Sequence, residues 1–531
     1  MKKQIIITMA ALAISFGLTA HHGYTAENPV NTTGNKTLLI TSDFGSVAKC
    51  KTYEELMYVA NAMISCKPDI QTIDAVLSDV CNYKSSIGHY TSGRNMDALH
   101  EAGYDPYGVM VSKLKEAGIT FLAGVRVNDH HGSMAIWTPW EREHKQWSLG
   151  KDTGDRSWRA VGDLRQMDFS VEGVRAHRLA IIEEIITKYD VDGIQLDFGR
   201  TPPYLSEPKR EKAKYVTRFV RDVRKVLDDA AKSKGRELIL GAILPWDLDF
   251  CEREGLEIKR WIGEGLVSYV SPGEWYYADW NIPLDGWFKL TAGTECKLYP
   301  MTCGNVSPYQ LPWEMGTQTL LSDNRVFDGP KIRAMAETFY SQGAEGIMFY
   351  NFYVSGLSQD ESFANYYTFL RDWTDPVKIP SMSRHYFFCR RLKYIPTEHY
   401  SFGMPHGYAP DEIEAFARFP LHMVGDEAVY TFRFAGDLTA STAVFRFKLK
   451  NMTEADEISV TLNNTSIAPE FVRLVTMPVY RVATWEAPVS MPPFRTGINE
   501  VRVRMVKSNS NRAEIIKVGE FGILVEPAVC E

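Results

Sequence analysis

Eight polar or charged residues stand where short apolar, β-branched runs end: Asp43, Asp79, Arg126 with Asn128, Asp197, Asp247, Glu274 and Asn351. Carboxylates dominate that set, histidine is scarce, and no Ser-His-Asp arrangement accompanies it. Such a set suits chemistry run by two carboxyl groups, one kept protonated as an acid and the other ionised as nucleophile or base. Arginines 126, 159, 165 and 200 add donors that suit hydroxyls or an anionic sugar. Trp137, Trp140, Trp246, Trp275 and Tyr276 offer rings that stack on the apolar face of a pyranose. Asp129-His130-His131 has the residue types of a metal site, but neighbouring residues point apart on helix or strand, so chelation by both imidazoles is disfavoured and no cofactor is expected.

The elements that must position these residues repeat as strand, helix, strand. Strands are predicted at 38–41, 73–77, 120–127, 193–196, 238–244, 266–270, 297–301 and 346–349, and amphipathic helices at 53–63, 106–117, 171–189, 209–234, 256–263 and 331–342. Eight such units predict an α/β fold, a (β/α)8 TIM barrel over residues 37–383, whose reactive groups gather at the C-terminal ends of the strands. Residues 271–295 offer no helical pattern and read as loop. Beyond residue 384 the texture changes to alternating runs separated by turns, which predicts a small all-β sandwich over 384–531. That domain reads as a buttress, with carbohydrate binding as its alternative.

Composition narrows the partners. The 531 residues carry 59 Lys and Arg against 66 Asp and Glu, a formal charge of −7, with no basic run able to track a phosphate backbone. Nucleic acid is not an expected partner. Residues 1–26 pair Lys2 and Lys3 with a short apolar stretch and small residues, the pattern of a signal peptide, so a periplasmic or secreted protein without a membrane span is expected. The eight cysteines are even in number and lack any C-x-x-C pair, which leaves disulfides open and argues against a Cys-based zinc site. Oligomeric state is not legible.

The segment Tyr189-Asp190-Val191-Asp192-Gly193-Ile194-Gln195-Leu196-Asp197-Phe198 drops a carboxylate at the end of the fourth strand, and Val125-Arg126-Val127-Asn128-Asp129-His130-His131 ends the third. Together with the leader and the trailing β-domain, these segments resemble the glycosyl hydrolase-like 10 family over residues 37–375. The resemblance implies an exported glycoside hydrolase acting on O-glycosidic bonds of a polysaccharide or oligosaccharide. Asp197 is the choice for the ionised carboxylate, since it is similar to the strand-four Asp nucleophile of barrels related to the α-amylases, although Gln195 stands where those carry Arg. Gln195 and Gly199 replace an inner Asp and the proton-donating Glu of chitinase-type barrels, which excludes their substrate-assisted route. Asp197-Phe198 likewise replaces the Asn-Glu of the large retaining clan. Glu274, flanked by Trp275 and Tyr276, is the preferred acid, since aromatic neighbours raise a carboxyl pKa, and Asp247 is its rival. Asp43, Asp79, Arg126, Asn128, His130, Arg200, Trp246, Asp247, Trp275, Tyr276 and Asn351 are the expected substrate contacts. A sugar-binding barrel without catalysis is the alternative.

Overall fold

Thr37–Ser42 (β1) lies parallel to both Ile70–Leu77 (β2) and Gly346–Tyr350 (β8), and that double pairing closes the sheet. The computed structural model describes residues 34–129, 137–149, 166–200, 202–274, 278–303, 328–350, 369–388, 420–438, 441–469, 471–476, 481–511 and 515–527. Around the ring follow Thr120–Arg126 (β3), Gly193–Asp197 (β4), Ile239–Pro245 (β5), Tyr269–Gly273 (β6) and Met301–Cys303 (β7), all parallel to their neighbours. This is the eight-stranded parallel barrel with surrounding helices that the alternating pattern predicts. Its principal helices are Tyr53–Ser65 (α1), Pro106–Glu116 (α2), Glu172–Lys188 (α3), Lys209–Lys234 (α4), Ile258–Gly263 (α5), Asp285–Thr291 (α6) and Gly329–Tyr340 (α7).

Three elements depart from the sequence reading. β6 runs to Gly273 rather than stopping at residue 270, because Ser271 and Pro272 pair with Ile243 and Leu244 instead of turning. α6 forms inside the segment read as loop, with Trp287 and Thr291 buried along it. Strand seven is also interrupted: Lys297–Leu298 pairs with β6 before Met301 resumes the ladder.

Register and the two-residue period of a strand decide which side chains enter the barrel. Thr72 and Asp74 of β2 share the inner face, as do Gly124 and Arg126 of β3, Gln195 and Asp197 of β4, and Met348 and Tyr350 of β8. Two glycines make room for them. A Cβ on Gly124 would lie 2.4 Å from Asp74 Oδ1, and one on Gly241 would lie 2.0 Å from the Tyr269 ring. One layer below Asp197, Gln195 donates to Thr41 Oγ1 (3.1 Å) and accepts from Tyr269 Oη (2.6 Å), so its buried amide is satisfied across three strands.

After the barrel the chain forms two antiparallel sheets, the expected sandwich. One contains Arg384–Phe388, Ser441–Lys450, Phe471–Thr476, Arg481–Val489 and Ile516–Pro527; the other contains Glu427–Phe434, Glu457–Leu462, Thr465–Ile467 and Gly497–Lys507. Tyr430 stacks on Phe521 at 4.8 Å, and Phe432, Phe445 and Phe494 pack around them, so these rings are spent inside the domain. Arg384 pairs with Glu337 of α7 (3.1 Å), Tyr386 donates to the same carboxylate, and Arg433 pairs with Asp285 of α6 (2.9 Å), which fastens the sandwich to the barrel.

Cys50, Cys66, Cys81, Cys251, Cys296 and Cys303 are buried, and no disulfide joins the described cysteines; burial pushes the thiols of Cys50, Cys66, Cys81 and Cys296 up to about 12. Among the described residues no helix is long and apolar enough to cross a membrane.

Candidate active site

Asp197 ends β4 with its side chain at the barrel mouth, 3% exposed. Its Oδ1 accepts from the backbone N–H groups of Gly199 (2.8 Å) and Arg200 (3.1 Å), and its Oδ2 accepts from Tyr350 Oη (2.8 Å). These donors fix the carboxylate and favour its ionised form. Burial opposes them and wins: the pKa of Asp197 is raised, with Arg126, Tyr350 and Arg200 pulling it down.

Arg126 is the hub of the cluster. Register places it beside Asp197, its Nε lies 2.7 Å from Asp74 Oδ2, and its Nη1 donates to Asp129 Oδ2 at 3.2 Å. The guanidinium also stands 6.0 Å from the Tyr350 ring centre. Arg200 reaches the same Asp129 carboxylate at 3.7 Å. Two cations are thus shared among three buried carboxylates, and the surplus negative charge shows at Asp74. Burial lifts its pKa to about 7, with Arg126 opposing and Asp197, Asp43 and Asp129 adding to the rise. Asp74 lies level with Gly124, one inward step below Arg126, so it acts on the mouth through that arginine.

The other expected residues have diverse surroundings. Asp43 is half-buried after β1 and accepts from Gly45 N (2.8 Å); its charge is felt at Asp74 and Arg126. Glu274 follows β6 and is fully buried. Trp246 is half-buried after β5, and its carbonyl accepts from Trp287 Nε1 (2.7 Å).

Three expected contacts are engaged elsewhere. Asp79 sits not at a strand end but in the two-residue turn that reverses the chain from Leu77 to Val80, with Ser78 at φ 52°. Its Oδ1 meets His177 Nε2 at 2.5 Å and Arg178 Nη1 at 3.2 Å, both on α3. Trp140 stacks on that histidine at 3.8 Å and Arg178 also reaches Glu141, so Trp140 belongs to this outer knot. Asn128 bridges two loops, donating to the carbonyls of Met167 (3.1 Å) and Pro203 (2.9 Å) and accepting from Met167 N (3.0 Å). Asp247 caps the helix Leu248–Arg253 through Asp249 N (2.9 Å) and Phe250 N (3.2 Å). His130, Trp275, Tyr276 and Asn351 lie outside the described residues, as do residues 1–26.

Asp74, Asp129 and Tyr350 are members of the cluster that a reading of strand ends passes over. The available signal was parity: Asp74 continues Ile70 and Thr72, and Tyr350 continues Gly346 and Met348. Among the described residues no three His, Cys, Asp or Glu side chains are grouped to hold a metal ion.

A family model described as Glycosyl hydrolase-like 10 matches residues 59–230, the stretch that contributes Asp74, Arg126, Asp129, Asp197 and Arg200. No curated protein matches the chain. Among solved structures, the chain is similar to the PgaB (BpsB) glycoside hydrolase domain from Bordetella bronchiseptica, at 13% identity and TM-score 0.42, over 64% of this chain and 99% of that one. It is also similar to alpha-L-fucosidase isoenzyme 2 from Paenibacillus thiaminolyticus, at 13% identity and TM-score 0.40, over 64% of this chain and 49% of that one. A GH36 alpha-galactosidase, AgaA from Geobacillus stearothermophilus, is similar at 13% identity and TM-score 0.36, over 89% of this chain and 56% of that one. The chain therefore spans about half the length of the latter two.

Proposed function

We propose that this protein is an exported glycoside hydrolase that cleaves O-glycosidic bonds of a polysaccharide or oligosaccharide with a carboxyl pair. The observation that carries the reading is Asp197, held by Tyr350 and two backbone N–H groups at the mouth of a barrel whose segment 59–230 matches a glycosyl hydrolase-like family. In this scheme the ionised Asp197 serves as nucleophile or base while a protonated carboxyl gives its proton to the departing glycosidic oxygen. Glu274 is proposed as that acid from its place directly after β6, with Trp275 and Tyr276 following it in the sequence. Asp247 is a weaker choice, since its Oδ1 is spent on two helix N–H groups. Asp74 and Tyr350 are positioning residues: one holds Arg126, the other holds Asp197. The proposed export rests on the residues of the leader.

One observation favours a second reading, a sugar-binding barrel without turnover: Asp197 is nearly inaccessible and both of its oxygens already accept hydrogen bonds.

A panel of neutral and anionic polysaccharides, followed by analysis of released oligosaccharides, separates the two readings. Turnover by the wild type is expected. Glu274→Gln should lose activity on natural linkages and recover much of it on aryl glycosides, whose leaving groups need no acid. Binding without release of any product would favour the sugar-binding reading. Equal losses by Glu274→Gln on both substrate types would remove Glu274 from the acid role.

A further inference from the structure

Beside the carboxylate cluster the chain makes an excursion that the proposed chemistry does not use. After the turn at Ser78 and Asp79, Val80–Cys81 runs back against β2 and His89–Tyr90 pairs alongside it. This excursion and the loop after β1 enclose a cavity of about 430 Å³, with Asp43, Asn82, His89, Thr91, Ser92 and Arg94 on its polar wall. That volume lies within the range of small-ligand sites, roughly 300–1,000 Å³.

Arg94 sets the character of this space. Its side chain is half-buried, its Nη1 donates to Asn82 Oδ1 at 2.8 Å, and its guanidinium lies 5.9 Å from the Tyr90 ring centre. Among the described residues no carboxylate stands within ion-pairing distance of it, although the neighbouring Asp97 is close enough to be felt. Asp97 is engaged by Tyr90 Oη (2.5 Å) and Gly93 N (2.6 Å). A partly desolvated arginine fixed by neutral groups keeps most of its planar donor fork for an oxyanion. Asn82 ties that fork to the cluster, since its Nδ2 donates to the Asp74 carbonyl at 3.0 Å. Asp43 stands on the cavity wall and also acts on Asp74, so the cavity adjoins the site.

We propose that this cavity is a subsite for an anionic sugar unit, whose carboxylate or sulfate group is held by Arg94 while the rest of the chain runs toward Asp197. The inference rests on the glycoside-hydrolase reading for the identity of the polymer, and on the cavity alone for the charge it selects. A neutral sugar offers the arginine fork only hydroxyl oxygens, whereas a carboxylate or sulfate offers it a charged, bidentate acceptor.

The test measures binding in full-length Asp197→Asn, so that turnover is not required. Hexagalacturonate and hexaguluronate form the carboxylate arm, a carrageenan hexasaccharide the sulfate arm, and cellohexaose and xylohexaose the neutral reference, all followed by calorimetry. At least one anionic oligosaccharide is expected to bind more tightly than either neutral one, and the arm that does so identifies the group. Adding Arg94→Gln should weaken that binding about tenfold or more, the loss of a charge-assisted contact, while Arg94→Lys keeps part of it. Melting temperatures matched among the three proteins exclude misfolding as the cause. Absence of any preference for an anionic oligosaccharide overturns the subsite, as does a preference that Arg94→Gln leaves intact. Hydrolysis of a neutral polymer, indifferent to Arg94, would overturn the subsite and leave the hydrolase standing. Arg94-dependent binding of anions by a chain that cleaves nothing would do the reverse.

Discussion

Asp197 and Asp79 are both buried aspartates that follow apolar runs, yet they meet different neighbours. Asp197 keeps the inward phase of β4 and meets Tyr350 and its own loop's N–H groups within the barrel mouth. Asp79 lies in a turn after β2, whose register slips between Asp74 and Val76, and it meets His177 and Arg178 of the helical shell. Following an apolar run is therefore an insufficient guide to chemistry. A single extra residue in a strand changes which side chains face the hollow.

The largest effect of breaking the outer pair should be on stability. Asp79→Asn leaves the buried Arg178 with Glu141, at 3.3 Å, as its one carboxylate partner among the described residues, and urea unfolding should show a loss of about 3 kcal/mol, at the low end for a broken buried pair. Turnover per folded molecule should stay within a few-fold of wild type. An unchanged unfolding midpoint would mean that the pair is not structural.

Asp74 sharpens the contrast through pH. In the folded chain it holds its proton up to about pH 7, whereas an unfolded aspartate releases it near pH 3.9. The folded state thus binds the extra proton between those values, and stability falls as pH rises from about 4 through 7. Asp74→Asn should remove that part of the slope, read as urea midpoints across pH 4 to 8. An identical slope in both proteins would show that Asp74 ionises normally.

Tyr350→Phe deletes a hydrogen bond to the ionised form of Asp197, so the pKa of Asp197 should move further up. A bond of about 1 kcal/mol corresponds to a shift of roughly 0.7 pH unit in the acid limb of the kcat/KM profile, toward higher pH. A limb that does not move would detach Tyr350 from the reacting carboxylate. Asp247→Ala should have the smallest effect, a loss of about 1 kcal/mol from an uncapped helix with kcat/KM nearly unchanged. A large loss of kcat/KM would instead restore Asp247 as the acid.

The barrel was legible because strand and helix periods alternate so regularly, and the sandwich because its strands alternate buried and exposed residues, as Glu427–Phe434 does. Strand six was misread where Ser271-Pro272-Gly273 looks like a turn; Pro272 is nonetheless accommodated beside Leu244 within the ladder. α6 escaped because its seven residues are too few to establish a helical period. At the site, Asp197, Arg126 and Arg200 were legible as polar residues closing or following strands. Asp74 was not, because it lies inside a strand and depends on the missing side chain of Gly124 for its space. Tyr350 was overlooked for a different reason, since a tyrosine ending an apolar run is indistinguishable from core until its hydroxyl finds Asp197.

The contrast between the two aspartates is tested most directly by measuring kcat/KM for Asp197→Asn and Asp79→Asn side by side on one cleaved polysaccharide, each corrected for its folded fraction. The account predicts a loss of roughly 10³-fold or more for Asp197→Asn and a value near wild type for Asp79→Asn. Retention of activity by Asp197→Asn, or equal losses in the two variants, would contradict it.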